Sequence, residues 1–579
     1  MFELSEQKQR LLNTNGHILA LGGPGSGKTT VALLKARGVI EKGMKYAQNV
    51  IFLSFARATV ARVEQRTTEL RISKLIRQHL EISTYHGFSW SILKSHGYLL
   101  NSNSPLQLLP PPEAASRLAN IVDDTARGIE KRRLFEQEGL LHFDLFARLS
   151  AELLSKSKSL TAILCDTYPL IILDEFQDTN ADEWNLICIL GKKSKLIALA
   201  DPEQRIYEFR GADPARIGEF ISIFSPTVFD FGSENNRSNG KDIVQFGNDL
   251  LTGANKCRRY NDVKSVGYPF RKGSGVHLTL KCEVLSSCKR LRDTEQENWS
   301  LAILVPTKRL MLDVSDFLGS KQELSNGKVL PEIDHEVALE TAGPSLAGVL
   351  IAGLMEGGET DREVASRLIH DLSEHIRGRK GDEPASKTDL ELSNALTGFV
   401  ESGNVRGNNR KFVVAECMRI AGECRRVDFS GDPAQDWLLV RKILHGSECE
   451  VIKQVALDAQ YLRLLHRGAQ LRSSLGLLWR NNGTYVGATQ AVRNALLQEH
   501  FSASTKVWKG IHVMTMHKAK GKEFDEVIIY ESYYQGKIVR DDATDREINQ
   551  SRLKLRVAVT RAIKRATILS PSSQMCRFL

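Results

Sequence analysis

Residues 17 to 34 read HILALGGPGSGKTTVALL: an apolar run, a glycine-rich turn, then a helix-like stretch that opens on Lys-Thr-Thr. The turn fits the pattern G-x-x-x-x-G-K-[ST], starting at Gly22 and closing on Gly27, Lys28 and Thr29. Backbone N–H groups of such a turn converge at a helix N-terminus and can cradle phosphates. The lysine reaches the β/γ-phosphates and the hydroxyl holds Mg²⁺. Gly22, Gly23, Pro24, Gly25, Ser26, Gly27, Lys28, Thr29 and Thr30 are therefore expected to bind a nucleotide. The strand before the turn and the helix after it point to an α/β layer.

A second apolar run, LIIL at residues 170 to 173, has the unbroken hydrophobicity of a strand buried in a parallel sheet. It ends in Asp174 and Glu175. In phosphate-loop enzymes an Asp after such a strand helps to hold Mg²⁺. An adjacent Glu can orient and deprotonate the attacking water, so Asp174 is expected to serve the metal and Glu175 to be the catalytic base. A third run, KLIALADPEQRIYEFRGADP (195 to 214), places Gln204 where it could sense the γ-phosphate or the water. Tyr207 and Phe209 follow two apart, so both rings leave one face of an extended segment. Such a pair can stack unpaired bases; the rival reading is core packing.

The bulk properties fit a large protein with a polyanionic partner. At roughly 100–200 residues per domain, 579 residues make about three to five domains. The formal net charge is +10, from 79 Lys and Arg against 69 Asp and Glu. That balance suits a nucleic-acid partner. No apolar stretch has the roughly 18–20 residues of a membrane span, and MFELSEQKQR lacks the pattern of a secretory signal. The nine cysteines are scattered. The pairs Cys282/Cys288 and Cys417/Cys424 are too wide for C-x₂₋₄-C metal spacing, so they read as reduced thiols of a cytoplasmic protein.

Taken in order, these segments resemble the motifs of superfamily-one DNA helicases of the UvrD/Rep/PcrA type. LSEQKQRLL is similar to that family's glutamine motif, with Gln7 as the adenine reader and Gln9 as the alternative. LSFARATVARV (53 to 63) resembles T-F-T-N-K-A-A and makes Phe55 a base-stacking ring; STYHGF (83 to 88) resembles G-T-F-H-G and puts Thr84 and His86 near the DNA backbone. LDEFQD, ADPEQRIYEFRGA, ENNRS (234 to 238), VMTMHKAKGKEFDEVII (513 to 529) and VAVTRA (557 to 562) resemble motifs II to VI. The resemblance implies two RecA-like cores, parallel sheets flanked by helices, with ATP and Mg²⁺ between them. It implies that Arg237 and Arg561 are arginine fingers from the second core. Glu523, with Lys520 beside it, would face the ribose and phosphates, and Thr515 and His517 would face DNA.

The same resemblance implies a first core over 1–96 and 161–227 with a small helical insert at 97–160. The second core would span 228–330 and 491–579, with a mostly helical insert at 331–490. Three- and four-residue spacing of apolar positions in DREVASRLIHDLSEHI supports the helical reading of that last segment. The implied activity is ATP-driven translocation, 3′→5′, on single-stranded or tailed DNA, in repair or anti-phage defence. The alternative is an ATP-gated DNA sensor that regulates a nuclease subunit without processive unwinding. Some positions depart from the family pattern. Asn236 stands where an adenine-stacking aromatic is usual, Arg556 where motif VI has Tyr, and Arg57-Ala58 replaces Asn-Lys. These departures and the short first insert resemble the compact GajB-like helicase subunits of bacterial anti-phage systems, whose partner is a nuclease.

Overall fold

The computed structural model describes residues 5–55, 57–100, 106–121, 123–204, 213, 215–232, 241–269, 277–293, 298–324, 327–337, 342–381, 385–460, 469–501, 508–533 and 536–579. The chain forms two compact units. The first is built from residues 1–89, 150–339 and 503–579, the second from 90–149 and 340–502.

The first unit holds two six-stranded sheets. One contains β1 (Ile18–Leu21), β2 (Val50–Ser54), β3 (Leu80–Thr84), β4 (Leu170–Leu173), β5 (Lys195–Ala200) and β6 (Thr227–Asp230), in the order β3-β2-β4-β5-β1-β6. All its neighbours are parallel. The other contains β7 (Val263–Tyr268), β8 (Ser300–Val305), β9 (Glu336–Val337), β10 (Gly510–Thr515), β11 (Phe524–Tyr530) and β12 (Ala562–Pro571), in the order β9-β10-β8-β11-β12-β7. It too is parallel throughout. These are two RecA-like α/β cores.

Parallel strands must be covered on both faces, and the sequence supplies the apolar surface. LIIL, VIFLS and SLAILV are buried at every position. Ile18, Phe52, Ile172 and Ile197 pack with Val31, Leu33 and Ala36 of the helix Lys28–Glu41. In the second core, β8 is followed by the helix Lys308–Leu318, capped by the Thr307 hydroxyl. In an all-parallel sheet every strand delivers its C-terminal end to the same edge, where α/β proteins place their ligands. The loops after β1 and β4 therefore meet, although β5 lies between those strands.

Among its described residues the part of the second unit from 342 to 501 is helical throughout. The helix Asp361–Gly378 covers the segment whose spacing suggested it. Its core runs from Leu350 and Leu372 through Ile420 and Trp437 to Leu475. Segments 90–149 and 340–502 pack as one body. Glu113 is 2.7 Å from Arg493, and a side chain on Gly378 would collide with the Pro112 carbonyl. Asp436, 2% exposed, organises this unit's polar interior. It accepts bonds from the Ser430 N–H and hydroxyl, the Gly431 N–H and the Tyr485 phenol, at 2.8, 2.8, 2.9 and 2.6 Å. Asp436→Ala orphans these donors and is expected to cost about 3 kcal/mol. The check is a fall of several degrees in the thermal transition; an unchanged transition contradicts the assignment.

Candidate functional site

The turn after β1 is shaped by its glycines. Gly25 and Gly27 have φ of +79° and +90°, a region that L side chains rarely adopt. A Cβ on Gly22 would sit 2.8 Å from the Ser26 hydroxyl. The helix Lys28–Glu41 starts directly on this turn, so its first N–H groups face into the loop. Lys28 Nζ donates to the carbonyls of Gly22 and Gly23 at 2.5 and 3.1 Å. Residues Gly23 to Thr30 all line one cavity. Expected residues from two other places also line the cavity. Asp174 and Glu175 come from the end of β4, and Glu523 and Arg561 come from the second core.

The carboxylates here have unequal environments. Asp174 is 7% exposed, its N–H donates to Leu53 O at 2.8 Å, and it accepts from the Ser54 hydroxyl at 3.3 Å. Burial, reinforced by the charge of Glu175, pushes its carboxyl up to about 7. Burial acts on Glu175 in the same sense. There the cations of Lys520, Lys28 and Arg561 outweigh it and hold the carboxyl low. Glu175 is also held in place. Its backbone is left-handed, with φ of +53°, and Gln177 Nε2 donates to its Oε2 at 2.6 Å. A strained Glu immediately after a buried strand can hold a charged carboxylate toward the phosphate loop.

Lys520 brings the cores together at this point. Its ammonium, 3% exposed on the side chain, donates to Asp178 and lies 3.6 Å from Glu175. Burial pushes the Asp178 carboxyl up to about 7 against that cation's pull. Arg561 is 2% exposed, with Nε bonded to Val557 O at 2.9 Å. Glu523 meets Arg62 of the helix Arg57–Glu69 at 2.6 Å.

Other expected residues are placed as follows. Gln7 is exposed on the helix Glu6–Asn13; its neighbour Lys8 is buried, lines the cavity and lies 5.5 Å from the Phe231 ring centroid. Gln204 closes the short turn Pro202–Gln204 after β5. Tyr207, Phe209, Arg237 and Asn236 lie outside the described residues. Phe55, after β2, is half-buried and stacks on Tyr85 with ring centroids 4.5 Å apart. Thr84 ends β3 and accepts the Gly87 N–H at 2.9 Å, with His86 half-buried beside it. Thr515 ends β10, is 3% exposed, and lies 3.3 Å from His517 Nε2. Lys8, Arg62, Arg66 and Asp201 line the cavity without having been singled out as binding residues. Arg62 and Arg66 share a helix face at i, i+4, a spacing that could have pointed to them.

Comparison with known proteins decides the family. A model of the UvrD/REP helicase N-terminal domain matches residues 4–137 and 130–225, and a model of the UvrD-like helicase C-terminal domain matches 488–573. The chain belongs to the UvrD-like helicases. It is 21% identical to a probable DNA helicase II homolog of Rickettsia conorii over 96% of this chain and 91% of that one. It is 25% identical to the ATP-dependent DNA helicase Rep of Buchnera aphidicola over 36% of this chain and 37% of the relative. An 84-residue stretch, 14% of this chain and 7% of the relative, is 38% identical to RecBCD subunit RecB of another Buchnera aphidicola. The solved Pif1 helicase of Candida albicans overlaps 49% of this chain and 55% of its own, with 13% identity. Its TM-score of 0.27 is too low to bear on fold or activity. As a superfamily-one UvrD-like enzyme, the chain is an ATP-hydrolysing DNA helicase. Among the described residues no helix is long and apolar enough to cross a membrane.

The Lys520–Asp178 pair makes a stability prediction. Removing one partner of a buried pair costs about 3–5 kcal/mol, whereas removing both together costs much less. Lys520→Met is therefore expected to lower the melting temperature by several degrees, and Lys520→Met with Asp178→Asn to regain most of that loss. Thermal melts of the three proteins check it; a double variant no more stable than the single one contradicts the pairing.

Proposed function

We propose that this UvrD-like helicase hydrolyses ATP in the cavity at the end of β1 and β4, and that hydrolysis drives it 3′→5′ along single-stranded or tailed DNA. The observation that carries the reading is convergence. One cavity is lined by the phosphate loop and the Asp174–Glu175 pair of the first core and by Glu523 and Arg561 of the second. Lys28 and the N–H groups of the loop would hold the β/γ-phosphates. Thr29 and Asp174 would hold Mg²⁺, which when bound supplies positive charge to the phosphate oxygens. The fit rests on donor chemistry: a hydroxyl on the loop and a buried carboxylate whose own pKa is pushed up, facing the same space.

Glu175, the proposed base, is kept ionised by its surrounding cations, so its carboxylate can accept a hydrogen bond from the attacking water and orient it. Arg561, with Arg237 of the ENNRS segment, would stabilise charge on the transferred phosphoryl group, a contribution worth roughly 10³–10⁵ in rate. Gln204 would orient the water or sense the γ-phosphate, Gln7 would read adenine and Glu523 would face the ribose. Because Arg561 and Glu523 arrive from the opposite core, chemistry depends on how the cores meet. Phe55, Tyr207 and Phe209 would stack bases, while Thr84, His86, Thr515 and His517 would contact the backbone. Segments 97–160 and 331–490 would act as accessory domains on cores 1–96 with 161–227 and 228–330 with 491–579.

A second reading takes its support from the stretch similar to RecB, a subunit of a multi-subunit enzyme. There the chain would bind DNA ends and use ATP to control a nuclease partner, without processive unwinding. Strand displacement on 3′- and 5′-tailed duplexes separates the readings. The motor predicts displacement on the 3′ tail; the sensor predicts DNA-stimulated ATPase with displacement on neither.

Lys28→Ala is expected to lose tight ATP binding, and Glu175→Gln to bind ATP but turn over at least about a hundredfold more slowly. Phe55→Ala is expected to weaken DNA binding and DNA-stimulated ATPase together, since stacking is worth roughly 1–3 kcal/mol per base, while basal ATPase survives. Steady-state ATPase with and without a dT oligonucleotide, beside a DNA titration, checks all three. Wild-type turnover by Glu175→Gln contradicts the site.

A further inference from the structure

Arg556 stands where the family motif carries an aromatic, and it is among the most deeply buried side chains of the chain at 1% exposed. A guanidinium cannot lose its charge, so its burial requires partners. In its own core, Nη2 donates to Asn248 Oδ1 at 3.0 Å. Gly247 lets the helices Ile243–Thr252 and Asp545–Val559 come close there; a Cβ on it would lie 2.9 Å from Thr560 Cγ2 and 3.5 Å from Arg556 Cγ. The remaining contacts reach the first core. Nη1 donates to Glu203 O at 3.3 Å and lies 3.9 Å from Asp201 Oδ2, while Nη2 is 3.2 Å from Glu203 Oε2.

That turn leads back to the catalytic base through a short series of bonds. Asp201 Oδ1 accepts the Glu203 N–H at 3.0 Å. The Asp201 N–H donates to Gln177 Oε1 at 3.0 Å, and Gln177 Nε2 donates to Glu175 Oε2 at 2.6 Å. Gln177 is 1% exposed, so its amide has few other arrangements. Five residues after Arg556 the same segment delivers Arg561 to the nucleotide cavity.

We propose that Arg556 is a positioning residue: by clasping the Asp201–Glu203 turn from the second core it fixes Gln177, and through Gln177 the aim of Glu175. The aim of the base then depends on the second core being docked, independently of any charge that core offers to the phosphates. The proposal rests on Glu175 being the base. It also gives the arginine at this position a role that a ring could not fill, because a ring has no charge to satisfy Asp201 and Glu203.

The test is ATPase at saturating dT oligonucleotide, with kcat and the KM for ATP measured separately. Arg556→Met is expected to lower kcat about tenfold or more with KM within about twofold, the pattern of an interaction made in the transition state. Arg556→Lys, which keeps the charge but loses the fork, is expected to recover only part of kcat. In a Gln177→Met background, Arg556→Met is expected to add little, because both act on Glu175 by one route. Where Arg556→Met fails to fold, Arg556→Gln is read in the same way. A folded Arg556 variant with wild-type kcat, a KM that rises in step with the loss of kcat, or losses that multiply with Gln177→Met would each overturn the proposal. Glu175→Gln, run alongside, separates the two failures: if it turns over like wild type the base assignment falls, and if it is inert while Arg556→Met is normal only the role of Arg556 falls.

Discussion

The buried ammonium of Lys520 is the charge around which the candidate site is arranged. It comes from the loop between β10 and β11 of the second sheet, yet its partners, Asp178 and Glu175, follow β4 of the first. Taking a lysine and two carboxylates out of water is costly, and only mutual attraction at short range offsets the cost. Separating the cores would leave Asp178 and Glu175 without that cation. The same contact keeps Glu175 charged although burial favours its neutral form. One interaction therefore serves both the joining of the cores and the chemistry proposed for the base.

Two further links follow the same logic at either side. Arg62 and Glu523 meet at the nucleotide cavity, while Arg556 meets the Asp201–Glu203 turn behind it. Each joins one core to the other: Glu523, just before β11, meets the helix Arg57–Glu69, and Arg556 meets the turn after β5. Parallel strands make this possible, since they bring the phosphate loop, the Asp174–Glu175 turn and the Asp201 turn to a single edge. A motor that couples hydrolysis to movement needs its reactive groups divided between parts that move. In the proposed reading the phosphate loop and the base, Glu175, belong to one core, and Lys520, Glu523 and Arg561 to the other.

Much of the first half of this site was legible in the sequence because it is local. Gly22 to Thr30, Asp174 and Glu175 sit in short strand–turn segments whose backbone alone places them. Glu523 and Arg561 came from likeness to a family, and the cavity includes both. What sequence reading missed depends on pairing across long separations. Lys520 and Asp178 are 342 residues apart and Arg62 and Glu523 are 461 apart, so nothing in either neighbourhood names the partner. Lys8 lies between Gln7 and Gln9, the two residues that the glutamine motif indicates, and no motif position marks it. Its burial comes from packing near Phe231. Arg556 was noticed as a departure from the motif, but its partners are set by the fold. The periodicity that indicated helices at 361–376 could not show that segments 90–149 and 340–502 pack into one body.

The most direct test of a site shared between cores is a structure of the protein with Mg²⁺, ADP and aluminium fluoride, which mimics the transferred phosphoryl group. The fluoride is expected within hydrogen-bond reach of Lys28 from the first core and Arg561 from the second, with Glu175 facing the attacking position. Fluoride contacted by the first core alone, with Arg561 turned away, would contradict it.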